Sequence, residues 1–256
     1  MLAKERRNII QEMLRKDGAV TTAALMRRFS VSIETVRRDL LCMEDERLLQ
    51  RVHGGAVSIG EMKSFQTLAR RNEAFAAEKE ALSHAAADLV QEGDTLGIDS
   101  GSTAIFFAEA LKQRFSKLTV VTHSIDVFNI LAKHADFSVI LCGGHFFREE
   151  NAFCGSLTLD MLDTLHMQKV FLCPSAVSLR YGICDYYTDL FAVQRKLLSC
   201  SDTVYILADS SKFEGRALLK LDEMRPEYVY VTDNGLSAEL AGIYEENKIQ
   251  IILGGS

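Results

Sequence analysis

Apolar residues recur along this chain in two rhythms, and the change from one to the other divides it. Up to about residue 57 the spacing is helical. Ile9, Ile10, Met13 and Leu14 predict a helix over about 4–16 that stops at Asp17-Gly18. Leu25, Met26 and Phe29 predict a short second helix, opened by Thr21 or Thr22. A third starts behind Ser32, a good N-cap, and turns Ile33, Val36, Leu40 and Met43 inward. RVHGGA (51–56) then predicts a hairpin, with Gly54 and Gly55 supplying the positive φ its turn needs. Three short helices, a tight turn before the third and a hairpin describe a winged helix-turn-helix.

The second rhythm begins near residue 76. Residues 59–75 carry no long apolar period and are expected to link a first domain, 1–58, to a second, 76–256. A helix over 76–92 has Leu82, Ala85, Ala86 and Leu89 as its inner stripe. Continuous apolar runs follow at 95–99, 118–123, 137–143, 169–175, 203–209, 227–233 and 249–255. Helical segments separate most of them, at 103–114, 124–134, 157–165, 189–200 and 237–247. That alternation predicts an α/β domain with a mostly parallel sheet covered on both faces.

Composition adds limits. Nearly half of the 256 residues are hydrophobic, enough for a substantial core in each domain. There is no apolar run of about 18 residues, and the charged start MLAKERRNII does not read as a signal peptide. The six cysteines form no C-x-x-C pair and read as reduced thiols of a cytoplasmic protein. No metal-ligand spacing and no cofactor motif is legible, so neither a metal nor a cofactor is expected. The net charge of −6 argues at first against a nucleic-acid partner. Its distribution reverses that argument: residues 1–60 hold 11 Lys and Arg against 8 Asp and Glu, and residues 61–256 hold 18 against 27. A basic module precedes an acidic one, and only the first suits phosphate.

On the third helix, Glu34, Thr35 and Arg38 face outward near the N-terminal end, the part that reaches base edges. Arg38 suits guanine, and Arg37, on the flank, suits a phosphate. The plainer reading is a solvated basic face. Arg51 and His53 are placed to meet a phosphate or the minor groove, although His53 equally suits a local turn bond.

In the second domain small and polar residues collect at the carboxyl ends of the strands, where open α/β sheets bind ligands. They include Thr122, Ser124, Gly143 and Gly144. Asp99-Ser100-Gly101-Ser102-Thr103 combines a glycine turn, hydroxyls and a helix start. It is either a phosphate cradle or an ordinary strand-to-helix turn. Asp209 opens a D-S-S-K segment whose Lys212 suits a phosphate or plain solvent. Arg148, on a loop opened by glycines, serves a ligand or a subunit contact.

The sequence T-V-R-R-D-L after Ser32, followed by R-V-H-G-G-A, resembles the DeoR family of bacterial transcriptional repressors, and the likeness runs to the end of the chain. It implies a second domain with a fold like ribose-5-phosphate isomerase, and a phosphorylated sugar or related metabolite as effector. Residues 99–103 match the family's phosphate loop, Asp209 and Lys212 its late D-S-S-K motif, and Gly182 a glycine that opens another site loop. Several positions depart: Arg47 stands for a helix-ending Gly, His123 for Asn, CPSA (173–176) for G-A-S-G, and Leu190-Phe191 with Gln194 for Glu-Ala and a Lys. The phosphate end is expected to be kept and the sugar end remodelled. The expected protein is a repressor, a homodimer or homotetramer on double-stranded operator DNA, released by its effector and with no membrane partner. An isomerase-like enzyme and a constitutive DNA-binding regulator with a vestigial site remain as alternatives.

Overall fold

A computed structural model describes residues 3–17, 19–46, 48–52, 55–57 and 67–255, and the chain divides into two units, Met1–Phe65 and Gln66–Ser256. The first contains α1 (Ala3–Asp17), β1 (Ala19–Thr21), α2 (Thr22–Phe29), α3 (Ile33–Asp45), β2 (Gln50–Val52) and β3 (Gly55–Val57). Strand β3 lies between β1 and β2, antiparallel to both. Three residues are too few for a period-two signal, so β1 was not legible in sequence. Ile10 and Leu14 of α1, Leu25 and Phe29 of α2, and Val36, Leu40 and Met43 of α3 share one core with Leu49 and Ala56. Side chains of this size contribute roughly 1.5–3 kcal/mol each when fully buried. Ile33, expected inside, is only half-buried. Asp39 is buried instead. It can be, because Arg6 donates to it from Nε (2.7 Å) and Nη2 (3.2 Å).

Residues 67–75 were expected to be linker, yet Leu68–Glu73 form a helix, α4, capped by Thr67 and packed on the helix over Ser102–Arg114. Its sequence LARRNE holds one large apolar residue, which leaves no stripe to find. The remaining expected linker, 59–66, lies outside the described residues. Next come α5 (Ala76–Ala87), β4 (Thr95–Ile98), α6 (Ser102–Arg114), β5 (Thr119–Thr122), α7 (Ile125–Leu131) and β6 (Ser138–Leu141). A hairpin follows, β7 (His145–Phe147) and β8 (Ala152–Cys154), then α8 (Ser156–Asp163) and β9 (Met167–Leu172). The chain continues through β10 (Ala176–Ser178), β11 (Gly182–Asp185), α9 (Thr188–Ser199), β12 (Ser201–Leu207), β13 (Leu219–Asp222), β14 (Val229–Asp233), α10 (Ala238–Glu246) and β15 (Gln250–Gly254).

The seven apolar runs read from sequence become one seven-stranded sheet, ordered β15-β14-β12-β9-β4-β5-β6, and every pairing in it is parallel. Strand residues alternate between two cores. Val120 and Phe171 join Leu82, Phe107, Leu111 and Val127, from α5, α6 and α7. Val121, Val170 and Leu172 join Leu162, Val193, Leu197 and Tyr244, from α8, α9 and α10. Helices therefore cover both faces, which is why the strands read as unbroken apolar runs. Helix α5 ends before the expected residue 92, and the carbonyl of Leu89 accepts instead from the Lys169 ammonium at 2.9 Å.

The chain enters the sheet at β4 in the middle, builds outward through β5 and β6, then returns to β9 on the other side of β4 and builds the opposite way. Successive crossovers diverge between β4 and β9. In open parallel sheets the crevice outside the carboxyl ends at such a switch point is where ligands bind.

Candidate functional site

Two places in the chain carry candidate chemistry, one in each unit. In the first unit α3 is set by its cap: the Thr35 N–H donates to Ser32 Oγ at 3.3 Å, and Ser30 takes a φ of +53° in the turn before it. Glu34, Arg37 and Arg38 are exposed, with Thr35 half-buried beside them. None of the described residues pairs with Arg37 or Arg38. The other end of the outer face is occupied, since Arg7 of α1 donates to Cys42 Sγ (2.7 Å) and reaches Glu46 (3.5 Å). What stays open is the N-terminal half of the helix. Arg51 lies in β2 opposite Ala56, and Gly55 begins β3 opposite Val52. His53, Gly54 and Arg47 lie outside the described residues.

In the second unit the switch point holds Asp99, which directly follows β4 and is fully buried. It ties the two central strands together: its N–H donates to the Phe171 carbonyl (3.1 Å), and its Oδ2 accepts from the Cys173 N–H (3.1 Å). Oδ1 lies 3.0 Å from His123 Nε2, and His123 Nδ1 donates to the Phe153 carbonyl at 2.9 Å. The histidine that replaces the family's Asn thus braces Asp99 against the hairpin.

After Asp99 comes the turn into α6. Gly101 has a φ of +104°, which L side chains avoid, and as N-cap it offers no side-chain bond to the helix. The first N–H groups of α6 have no intrahelical acceptor. The hydroxyls of Ser100, Ser102 and Thr103 bond to none of the described residues. Unfilled donors and a helix N-terminus converge at one turn, an arrangement suited to an anion.

Gln194 of α9, another departure from the family pattern, is buried between two carboxylates. Its Nε2 donates to Asp99 Oδ2 (3.2 Å) and to Asp185 Oδ2 (2.8 Å). Two acceptors on the nitrogen fix the amide's orientation and leave Oε1 buried without a partner. Asp185 also accepts from Ser175 Oγ (2.8 Å) and the Tyr186 N–H (2.7 Å). Burial pushes its carboxyl up to about 6, against those hydrogen bonds, which pull it down. The Cys173 thiol is pushed well up by burial and by Asp99, so it is a thiol and not a reactive thiolate.

A cation that sequence reasoning missed stands at the same turn. Arg71 of α4 donates to Glu150, a buried carboxylate, and both lie against Gly101: a Cβ there would sit 3.7 Å from Glu150 Oε2 and 3.9 Å from Arg71 Nη1. Burial opposes the Arg71 charge, but Glu150 outweighs it and holds the pKa above its ordinary value. Burial, then Glu150, pushes the Tyr187 hydroxyl far above its usual range. The helix pattern gave no hint of Arg71. Asp185 had a signal, since an aspartate ends its strand as Asp233 ends β14, and Asp99 directly follows β4.

The remaining expected residues divide. Asp209 is fully buried; Oδ1 accepts from the Ser211 N–H (3.1 Å) and hydroxyl, and Oδ2 has no partner. Lys212 follows on the same short turn, half-buried, with its N–H bonded to the Asp209 carbonyl at 2.8 Å. Asp233 braces that turn through the Ser210 N–H (2.6 Å) and hydroxyl (2.9 Å). Thr122 and Ser124 spend their hydroxyls inside the fold, on the Ile98 carbonyl (2.8 Å) and as the cap of α7. Gly144 is needed for space, because a Cβ would overlap Thr158 and the Cys154 carbonyl, while Gly143 accepts from Thr158 Oγ1 at 3.0 Å. Gly182, with φ +77°, lets β11 approach β13 at Asp222. Arg148 is exposed; the residue of its turn that meets Gly101 is Glu150. Leu190, where the family carries Glu, is packed in the core.

Comparison with known proteins covers nearly all of the chain. The DeoR-like helix-turn-helix domain matches residues 6–62, and the DeoR C terminal sensor domain matches 74–234. An uncharacterized HTH-type transcriptional regulator, YulB of Bacillus subtilis (strain 168), is 32% identical over 98% of this chain and 96% of its own length. The L-fucose operon activator of Haemophilus influenzae is 30% identical over 97% and 99%. The glycerol-3-phosphate regulon repressor of Escherichia coli (strain K12) is 28% identical over 99% and 100%. Among solved structures, ribose 5 phosphate isomerase A from Neisseria gonorrhoeae matches with a TM-score of 0.41 at 21% identity, over 54% of this chain and about half (53%) of that one.

Proposed function

This chain belongs to the DeoR family of transcriptional regulators, and from that premise we propose that it represses transcription from α3 and is released by a phosphorylated small molecule held at the switch point of its sheet. Arg38, Thr35 and Glu34 read base edges, and Arg37, with Ser32, Arg51, His53, Gly54 and Gly55, holds the phosphate backbone. The chain works as a dimer or tetramer, with two winged helices on half-sites about 34 Å apart or a multiple of that.

One observation carries the ligand reading: Ser100, Ser102 and Thr103 offer hydroxyls that bond to none of the described residues, beside the unfilled N–H groups of a 13-residue helix. Lys212 adds a cation at the same sheet edge. The partnerless Gln194 Oε1 and Asp209 Oδ2 are acceptors, so the ligand's other end carries donors, as the hydroxyls of a sugar would. Two of the relatives are named for sugar or glycerol-phosphate operons.

An enzymatic reading would need a free base near the sugar carbons. Asp185 has the raised pKa of one, yet both its oxygens already accept hydrogen bonds. We read it as shaping the site, without turnover.

Thermal unfolding against a panel of phosphorylated sugars tests this. A ligand at 100 times its Kd adds about 2.7 kcal/mol of stability. Stabilisation by one of them, lost in Lys212→Ala while DNA binding persists, supports the reading. Stabilisation by none, or steady turnover of one, contradicts it.

A further inference from the structure

Glu150 is buried with its side chain 2% exposed, whereas Arg71 keeps 22%. A carboxylate that deep needs a partner, and it has Arg71 and the Tyr187 hydroxyl. The accessible side of this pair is therefore the cation. An arginine presents N–H donors in a planar fork that fits carboxylate and phosphate alike. Here Nη2 is spent on Glu150, and Nη1 faces the Gly101 turn.

Helix α4 is pinned at two points. At one end the buried Lys79 ammonium of α5 holds the carbonyls of Arg71 and Ala74. The other pin is the Arg71 side chain on Glu150. The first involves no atom within 4 Å of where a Gly101 Cβ would sit. The second ends 3.9 Å from where a Gly101 Cβ would sit, so an anion on Ser100–Thr103 meets it directly.

We propose that Arg71 is a specificity-determining residue for the effector's anionic group: an anion at the 100–103 turn competes with Glu150 for the guanidinium, and its arrival loosens the pin on α4, the first described helix after the DNA-binding unit. This rests on the turn being an anion site. A dianionic phosphate outcompetes a single carboxylate because it also takes the open N–H groups of α6. Glu150 keeps the Tyr187 hydroxyl when Arg71 turns away, so it is not stranded.

The test is calorimetric titration of the full chain with inorganic phosphate. Glu150→Gln removes the competing charge and should bind phosphate about tenfold tighter than wild type. The double variant Arg71→Ala/Glu150→Gln leaves no unpaired buried charge, so it keeps its fold, and should bind at least tenfold more weakly than Glu150→Gln alone. Equal affinity in those two variants, or no gain in Glu150→Gln, overturns the role of Arg71. Should Ser102→Ala and Thr103→Val lose phosphate while the double variant binds it as tightly as Glu150→Gln, the anion site stands and the role of Arg71 falls. If wild type itself binds no phosphate, both fall.

Discussion

Arg6 with Asp39 in the first unit and Arg71 with Glu150 in the second are both arginine–carboxylate pairs out of bulk water, but their exposure is shared differently. The first pair is closed on both sides, 11% and 7% exposed, and two parallel hydrogen bonds join α1 to α3. The second is 22% and 2% exposed, and its guanidinium looks onto a turn of unfilled donors. A closed pair fixes where a reading helix sits. A pair open on its cationic side can trade its carboxylate for another anion. The difference lies in what surrounds each pair rather than in the residue types.

The largest expected effect breaks the closed pair. Arg6→Ala strands the Asp39 charge in the core of the first unit and should cost about 3–5 kcal/mol in denaturant unfolding of that unit. A loss below about 1 kcal/mol would mean that Asp39 finds water and that the pair does not set α3.

The next concerns pH. Asp185 holds its proton more readily in the folded chain than in the unfolded one, about 6 against an ordinary 3.8. Its stabilising contribution is complete below about pH 4 and is lost as pH rises through about 6. The shift corresponds to roughly 3 kcal/mol at most. Asp185→Asn should flatten this part of the stability profile, read from unfolding between pH 4 and 7. Parallel profiles for the two proteins would show that the buried carboxyl is not the cause.

Arg38→Ala should weaken operator binding by roughly 1–3 kcal/mol and relax base preference, whereas Arg37→Ala should weaken it evenly across sequences and lower the salt slope by about one. Competition with single-base operator variants separates the two. The reverse assignment would show that the helix enters the groove in another phase. The smallest effect sharpens the contrast within one turn: Arg148→Ala, at an exposed position, should change stability by no more than about 0.5 kcal/mol. A larger loss would mean that Arg148 also makes a structural contact beside that of Glu150.

The parallel sheet was legible because both its faces are covered, which makes each strand an apolar run with polar residues at its end. Asp99 to Thr103 stood out for the same reason. The antiparallel strands β7, β8 and β10 are three residues each and cannot display a period. Arg71 sits in a six-residue helix without an apolar stripe, and Glu150 follows Arg148 and Glu149 in what reads as a solvated turn. Their pairing spans 79 positions and is set by tertiary packing alone. Gln194 was visible as a departure from the family, but its bridging of Asp99 and Asp185 depends on the tertiary packing that brings α9 to both carboxylates, which no local pattern encodes.

The most direct measurement is selection of duplexes from a random pool by the full-length chain, repeated with phosphorylated sugars present. We expect one sequence, with two similarly spaced half-sites, to be enriched, and its recovery to fall when the right ligand is added. Enrichment of no sequence, or of one whose recovery ignores every ligand, would contradict the division into a DNA-reading front and an anion-sensing rear.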